Sequence, residues 1–197
     1  DQDCDGKDLH DFTAVSGGYY FNCALDPAGT IECWGDDGDG QVSDTPSGSG
    51  HTAVGAGGSH GCALDASGSI ECWGDDDDGE VSDAPTTSGY TAVSAGGWHN
   101  CALDSAGGIE CWGRDNYDQV TDAPTDSGYT AVSGGPYYHN CAIDSAGGIE
   151  CWGSDDYDQV SDTPTGSGYI AVSACYVHNC ALDSAGGIEC WGLDFDG

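Results

Sequence analysis

The stretch His99-Asn100-Cys101-Ala102-Leu103-Asp104-Ser105-Ala106-Gly107-Gly108-Ile109-Glu110-Cys111-Trp112-Gly113 constrains this chain more than any other feature, because it recurs five times. The other copies begin at Phe21, His60, His139 and His178. In every copy two cysteines ten positions apart bracket a small, glycine-containing turn, which is a hairpin signature. Counted from Ala106, Leu103 falls opposite Ile109 and Cys101 opposite Cys111, so both pairs share one face of a two-stranded antiparallel ribbon. Ala102, Glu110 and Trp112 fall on the other face. Cross-strand Cβ separations of about 4.5–5.5 Å suit a disulfide. Each hairpin is therefore expected to carry its own bridge: Cys23–Cys33, Cys62–Cys72, Cys101–Cys111, Cys141–Cys151 and Cys180–Cys190.

The first cysteines of the pairs are spaced by 39, 39, 40 and 39 residues. A period near 40 made of short β segments predicts an all-β propeller or solenoid. The whole chain, 1–197, reads as one domain, with repeats at about 12–50, 51–89, 90–128, 129–168 and 169–197, the last completed by 1–11. Within a repeat, Tyr90-Thr91-Ala92-Val93-Ser94 reads as a first strand, the stapled hairpin follows, and Gln119-Val120 is a candidate short fourth strand after an acidic loop. Pro46, Pro85, Pro124 and Pro164 punctuate the boundaries. The extra residue of the fourth repeat falls in Gly134-Gly135-Pro136-Tyr137-Tyr138, one longer than Ala95-Gly96-Gly97-Trp98, and predicts a loop insertion or bulge.

The two ends meet in phase. The chain stops soon after its fifth Cys-Trp-Gly, and the count from Cys180 through the C-terminus to Cys23 keeps the repeat spacing. A ring closed by its own N-terminal segment would show this and would leave no sheet edge bare. A head-to-tail homopolymer would show it too. The two remaining cysteines, Cys4 and Cys175, belong to the segments that would complete the fifth unit, and a Cys4–Cys175 bridge is expected to clasp it. On the chain-entropy view a hairpin bridge contributes roughly 2–3 kcal/mol and this long-range one roughly 5 kcal/mol.

Twelve cysteines in regular pairs suit an oxidising, extracellular or cell-surface setting. The chain opens on Asp1-Gln2-Asp3 without a signal-peptide pattern, as a processed secreted form would, and no apolar run approaches the ~18 residues of a membrane span. Thirty-five acidic residues oppose only Lys7 and Arg114, a formal net charge of −33. Nucleic acid and anionic membranes are therefore unfavourable partners, and the self-repulsion predicts a saline, halophilic or divalent-rich medium.

Val93 to Asp104, Gly108 to Gly113 and Gln119-Val120 together resemble the regulator of chromosome condensation repeat family, and most closely its secreted bacterial forms with an added cysteine pair. The resemblance covers nearly the whole chain and implies a β-propeller. The family usually has seven blades, so five repeats imply a five-bladed ring, an open arc or part of a larger ring. One relative with similarly short repeats is a secreted protein inhibitor of β-lactamases. The chromosomal member's guanine-nucleotide exchange does not carry over, because an acidic, disulfide-rich chain belongs to another compartment and fold alone does not give function.

Several side-chain groups are candidates for chemistry. His60, His99, His139 and His178 precede the first cysteine of their pairs by two residues and could ring a metal; Phe21 at the same position favours a structural role in hydrogen bonding. Asp1, Asp3, Asp5 and Asp8 around Gly6 resemble a compact calcium loop, although Cys4 lies within it and the distal Glu of an EF-hand is missing. The loops 36–40 and 75–79 are similar in composition, with solvated acidic surface as the alternative. Tyr19, Tyr20, Trp98, Tyr137, Tyr138 and Tyr176 fall in the turn before the hairpin, where propeller loops carry binding surfaces, and suit protein or glycan recognition. Trp34, Trp73, Trp112, Trp152 and Trp191 are expected in the core between blades. Nothing singles out one copy as a nucleophile site. The sequence thus predicts a non-enzymatic interaction module, either self-assembling into a filament or layer or binding a protein or glycan as a monomer.

Overall fold

The computed structural model describes residues 11–193, and all of its regular structure is β. Each repeat forms one three-stranded antiparallel sheet. The sheets are β1 (Ala14–Gly17), β2 (Phe21–Leu25) and β3 (Ile31–Gly35); β4 (His51–Ala56), β5 (His60–Asp65) and β6 (Ile70–Gly74); β7 (Tyr90–Ala95), β8 (His99–Asp104) and β9 (Ile109–Gly113); β10 (Tyr129–Gly134), β11 (His139–Asp144) and β12 (Ile149–Gly153); and β13 (Tyr169–Ala174), β14 (His178–Asp183) and β15 (Ile188–Gly192). The arrangement is a β-propeller of five blades whose innermost strands, β1, β4, β7, β10 and β13, converge on one central cavity of about 540 Å³.

The hairpin register follows the cysteine spacing. Cys101 stands opposite Cys111 and Leu103 opposite Ile109, and the same pairs recur in the other four sheets. All five hairpins are closed by their own disulfides. The turn is made by Asp104, whose Oδ1 accepts the backbone N–H groups of Ala106 (2.7 Å) and Gly108 (2.8 Å). Gly107 sits at φ 80°, and a Cβ there would lie 2.6 Å from the backbone nitrogens of Gly128 and Tyr129, so glycine serves both the turn and the return of the chain.

The core lies between sheets. Cys101, Leu103 and Ile109 of the third sheet pack on Ala142, Trp152 and Val132 of the fourth, and the second sheet packs on the third in the same way. One blade's disulfide face therefore meets the next blade's tryptophan face. Trp73, Trp112, Trp152 and Trp191 are buried by this packing, whereas Trp34 is 45 % exposed, because among the described residues no preceding blade covers the first sheet. At the other end Ile188, on the disulfide face of the fifth sheet, is 73 % exposed. Completion of the last blade by residues 1–11 falls almost wholly outside the described residues, as does Cys4. The Cys175 thiol is free in this structure.

Gln119-Val120 is not a fourth strand, nor are its counterparts. The carboxylate of Asp115 accepts the N–H groups of Val120 (2.8 Å) and Thr121 (3.1 Å), and Asp122 N–H reaches the carbonyl of Asp118 (3.0 Å), so the segment coils into a turn. Asp37, Asp76 and Asp155 do the same in their repeats. A strand there would need those amides for a ladder, and the local carboxylate takes them instead.

Candidate functional site

Three layers of residues lead to the channel mouth. The deepest ties the blades together through histidine. Asn100 Nδ2 donates to the Glu80 carbonyl (3.0 Å), which turns its Oδ1 toward His60 Nε2 at 2.9 Å. That oxygen can only accept, so the neutral imidazole must carry its proton on Nε2. His99 meets Asn140 (2.7 Å) and His139 meets Asn179 (2.7 Å) in the same way. Where the first repeat has Phe21, the second has Gly61 in place of the asparagine. His60, His99 and His139 thus act structurally, each bonding the neighbouring blade. Burial holds the imidazoles of His60 and His99 down at about 4.

The same carbonyls serve the tryptophans. Trp112 Nε1 donates to the Glu80 carbonyl (2.9 Å), and Trp73, Trp152 and Trp191 reach Gln41, Gln119 and Gln159 at 3.0 Å. Gln41, Glu80, Gln119 and Gln159 are fully buried at equivalent positions. Nothing in a polar Gln-Val dipeptide marked them as core; the signal was their fixed place six residues after each Trp-Gly glycine. Burial raises the carboxyl of Glu80, whose Oε1 has no hydrogen-bond partner. Among the described residues no group of three or more His, Cys, Asp or Glu side chains is placed to hold a metal ion. The carboxylates of Asp37 and Asp76 accept backbone N–H groups, which hold both below the usual aspartate range. The run Asp1, Asp3, Asp5 and Asp8 lies outside the described residues.

Above the channel the turns before the hairpins stack on one another. Gly58 N–H donates to the Gly97 carbonyl (3.0 Å) and Gly97 N–H to that of Gly135 (3.3 Å). A Cβ on Gly97 would stand 2.3 Å from the Pro136 carbonyl oxygen, so glycine is what permits this close approach. The layered turns bring all six sequence-nominated aromatics into one continuous crown. Tyr19 meets Tyr20 (6.4 Å between ring centroids) and Trp98 (5.5 Å) edge to face, and Trp98 stacks on Tyr138 (5.1 Å). Tyr137 joins Tyr138 to Tyr176, at 4.7 Å from each. The Tyr19 hydroxyl donates to the Pro136 carbonyl, linking the first repeat to the fourth. Burial first, and the surrounding tyrosines second, push its phenol up to about 12, so it stays a neutral donor. The fourth repeat's extra residue falls in the loop that ends at Tyr138, which takes a φ of 53°.

Two members of the crown were not nominated from sequence. Tyr117 stacks on Tyr138 (4.8 Å), and Arg114 places its guanidinium 5.7 Å from the centroid of Trp98 and 5.4 Å from that of Tyr138. Asp78 Oδ2 lies 3.6 Å from the guanidinium, and Asn116, with its amide oxygen turned inward, accepts from Nε at 2.8 Å and Nη2 at 2.9 Å. The available signal was substitution in register: Tyr117 and Arg114 stand where the second repeat has Asp78 and Asp75. Between Tyr19, Tyr20, Trp98 and Tyr176 a cleft of about 380 Å³ opens to solvent.

Residues 12–41, 48–80 and 90–119 match the Regulator of chromosome condensation (RCC1) repeat. Among solved structures, the chain is similar to the CRINKLY WD40 ectodomain of the Arabidopsis thaliana receptor kinase ACR4, at 27% identity and TM-score 0.74, covering 93% of this chain and 64% of that one. It is also similar to the ectodomain of the Physcomitrella patens receptor kinase CR4, at 25% identity and TM-score 0.79 over 93% of this chain and 53% of that one. Prp20p of Saccharomyces cerevisiae, characterised for its binding to Gsp1p and histones, shares the fold at 15% identity and TM-score 0.75, over 93% and 58%. The chain thus spans less than two thirds of the length of each. No curated protein sequence matches it.

Proposed function

We propose that the chain, three of whose five repeats match the RCC1 repeat, is a non-catalytic interaction module of an oxidising, extracellular setting, and that it binds a protein partner through the aromatic crown. The observation that carries this reading is the gathering of Tyr19, Tyr20, Trp98, Tyr137, Tyr138 and Tyr176, supplied by four repeats, at one mouth of the propeller. Large aromatic rings held by stacking lose little freedom on binding, which is why they anchor interfaces. Five disulfides suit an oxidising compartment, and the described residues include no helix long and apolar enough to cross a membrane. Two similar structures are receptor ectodomains, which supports an extracellular role.

The test uses the two rings of the crown most open to solvent. Tyr20 and Tyr176 are exposed, so a Tyr20→Ala/Tyr176→Ala variant keeps the fold. Peptides selected from a random displayed library on the wild-type protein are expected to lose about tenfold or more in affinity for this variant, the scale of losing interfacial tyrosines. Peptides that bind both equally would remove the crown as the binding face. If a glycan array yields crown-dependent binders and the peptide library none, the partner is a glycan.

Self-association is a second reading, favoured by the two uncovered blade faces. Trp34 presents the face that elsewhere receives a disulfide face, and Cys180–Cys190 with Ile188 presents the disulfide face. The two are complementary halves of an interface already made four times within the chain. Sedimentation at increasing concentration is expected to show association that Trp34→Asp abolishes. A monomer at all concentrations would leave the crown reading alone.

A further inference from the structure

We propose that the cleft between Tyr19, Tyr20, Trp98 and Tyr176 receives a guanidinium or ammonium side chain from a basic segment of the partner protein. The proposal rests on the crown being the partner-binding face and adds the chemistry of what enters it.

The crown already holds one cation. Arg114, one of only two basic residues in the chain, lies over Trp98 and Tyr138, steadied by Asp78. Ring faces carry negative charge density, and an arginine stacked there shows which charge they accept. The cleft, lined by Tyr19, Tyr20, Trp98 and Tyr176, is bordered by the same Trp98 ring. Two of its rings are open to water, Tyr20 at 77 % and Tyr176 at 56 % exposure. Tyr19 is fixed by its hydrogen bond to the Pro136 carbonyl and by its edge-on contact with Trp98, so one wall is formed before anything binds.

Charge then selects among possible guests. A formal net charge of −33 sets up a field that draws cations toward the surface and repels anions, while a neutral sugar gains nothing from it. Sugar recognition also calls for several converging polar groups beside a stacking ring, and the side chains that line the cleft offer only phenols and the Trp98 indole N–H, with no carboxylate or amide among them. Lysine and arginine have in addition long apolar stems suited to lie along such rings.

Calorimetric titration tests this with two probes of equal length, an alternating arginine–glycine peptide and the same peptide with citrulline in place of arginine. The change removes the charge and keeps the shape. The arginine peptide is expected to bind at least about tenfold more tightly, to weaken as salt rises, and to lose that advantage on Tyr20→Ala/Tyr176→Ala. Equal affinity for the two peptides overturns the proposal. So does an arginine preference that survives in the double variant, because that is attraction to the acidic surface at large. The library selection described above keeps the two readings apart: crown-dependent peptides without arginine or lysine would sustain the binding face and refute the cation, whereas no crown-dependent binder would refute both.

Discussion

Trp112→Ala is expected to lower the stability of the protein by about 3–5 kcal/mol, and Trp34→Ala by less than about 1 kcal/mol. The two tryptophans occupy the same position in repeats of nearly the same sequence, so the difference tests the packing and not the residue type. Trp112 is 4 % exposed, packs against Cys62 and Leu64 of the preceding blade, and donates its indole N–H to the buried Glu80 carbonyl. Its removal leaves a cavity at the seam of two blades and takes one of two donors from that carbonyl. Trp34 has no preceding blade against it among the described residues and is 45 % exposed. In thermal unfolding with disulfides intact, the first substitution should lower the midpoint by roughly 6–20 °C and the second by a few degrees at most. Comparable losses at both sites would mean that the first and fifth blades bury each other in solution.

The second large effect is a loss of stability on mild acidification. His60 and His99 are held neutral by burial, with folded-state values of about 4, while a histidine in the unfolded chain titrates near ~6.5. Between these values the unfolded chain takes up protons that the folded chain refuses. Their contribution is therefore complete above about pH 6.5 and is lost progressively as the pH falls toward about 4. At pH 5 the loss should be about 2 kcal/mol for each histidine. His139 is shifted in the same direction, chiefly by burial. Acid side chains oppose the trend: protonation relieves their mutual repulsion, and Glu80, raised by burial, is stabilised as it gains a proton.

Denaturant unfolding at pH 7 and pH 5 in molar salt, which screens the surface repulsion, isolates the histidines. His99→Gln, which keeps a donor toward Asn140, should flatten the pH dependence by about 2 kcal/mol. Glu80→Gln, which restores the residue found in three other repeats, should steepen it. A stability that holds constant or rises from pH 7 to pH 5 in the wild type would show that the imidazoles are not buried as described.

What the sequence determined by itself is what local chemistry fixes. A separation of ten residues around an Asp-and-Gly turn leaves one sensible hairpin register, and period-two alternation then divides Cys101 and Leu103 from Ala102 and Trp112. The repeat length and six of the crown's seven aromatics were legible for the same reason, since each is set within one unit. The short fourth strand was misread because a Gln-Val pair carries the composition of a strand, while the hydrogen bonds that coil it come from an aspartate five residues earlier.

Tertiary structure decided whatever depends on residues about forty positions apart. Only the stacking of blades brings an asparagine of one repeat to the histidine of the one before, buries Gln119 and Glu80 as acceptors, and separates the covered Trp112 from the open Trp34. The same stacking gathers substitutions made in single repeats, the aromatic Tyr117 and the cationic Arg114 among them, into one surface. The physical reason is that the fold of each hairpin is encoded within its own repeat, while the faces it offers acquire their roles only from the neighbour that covers them.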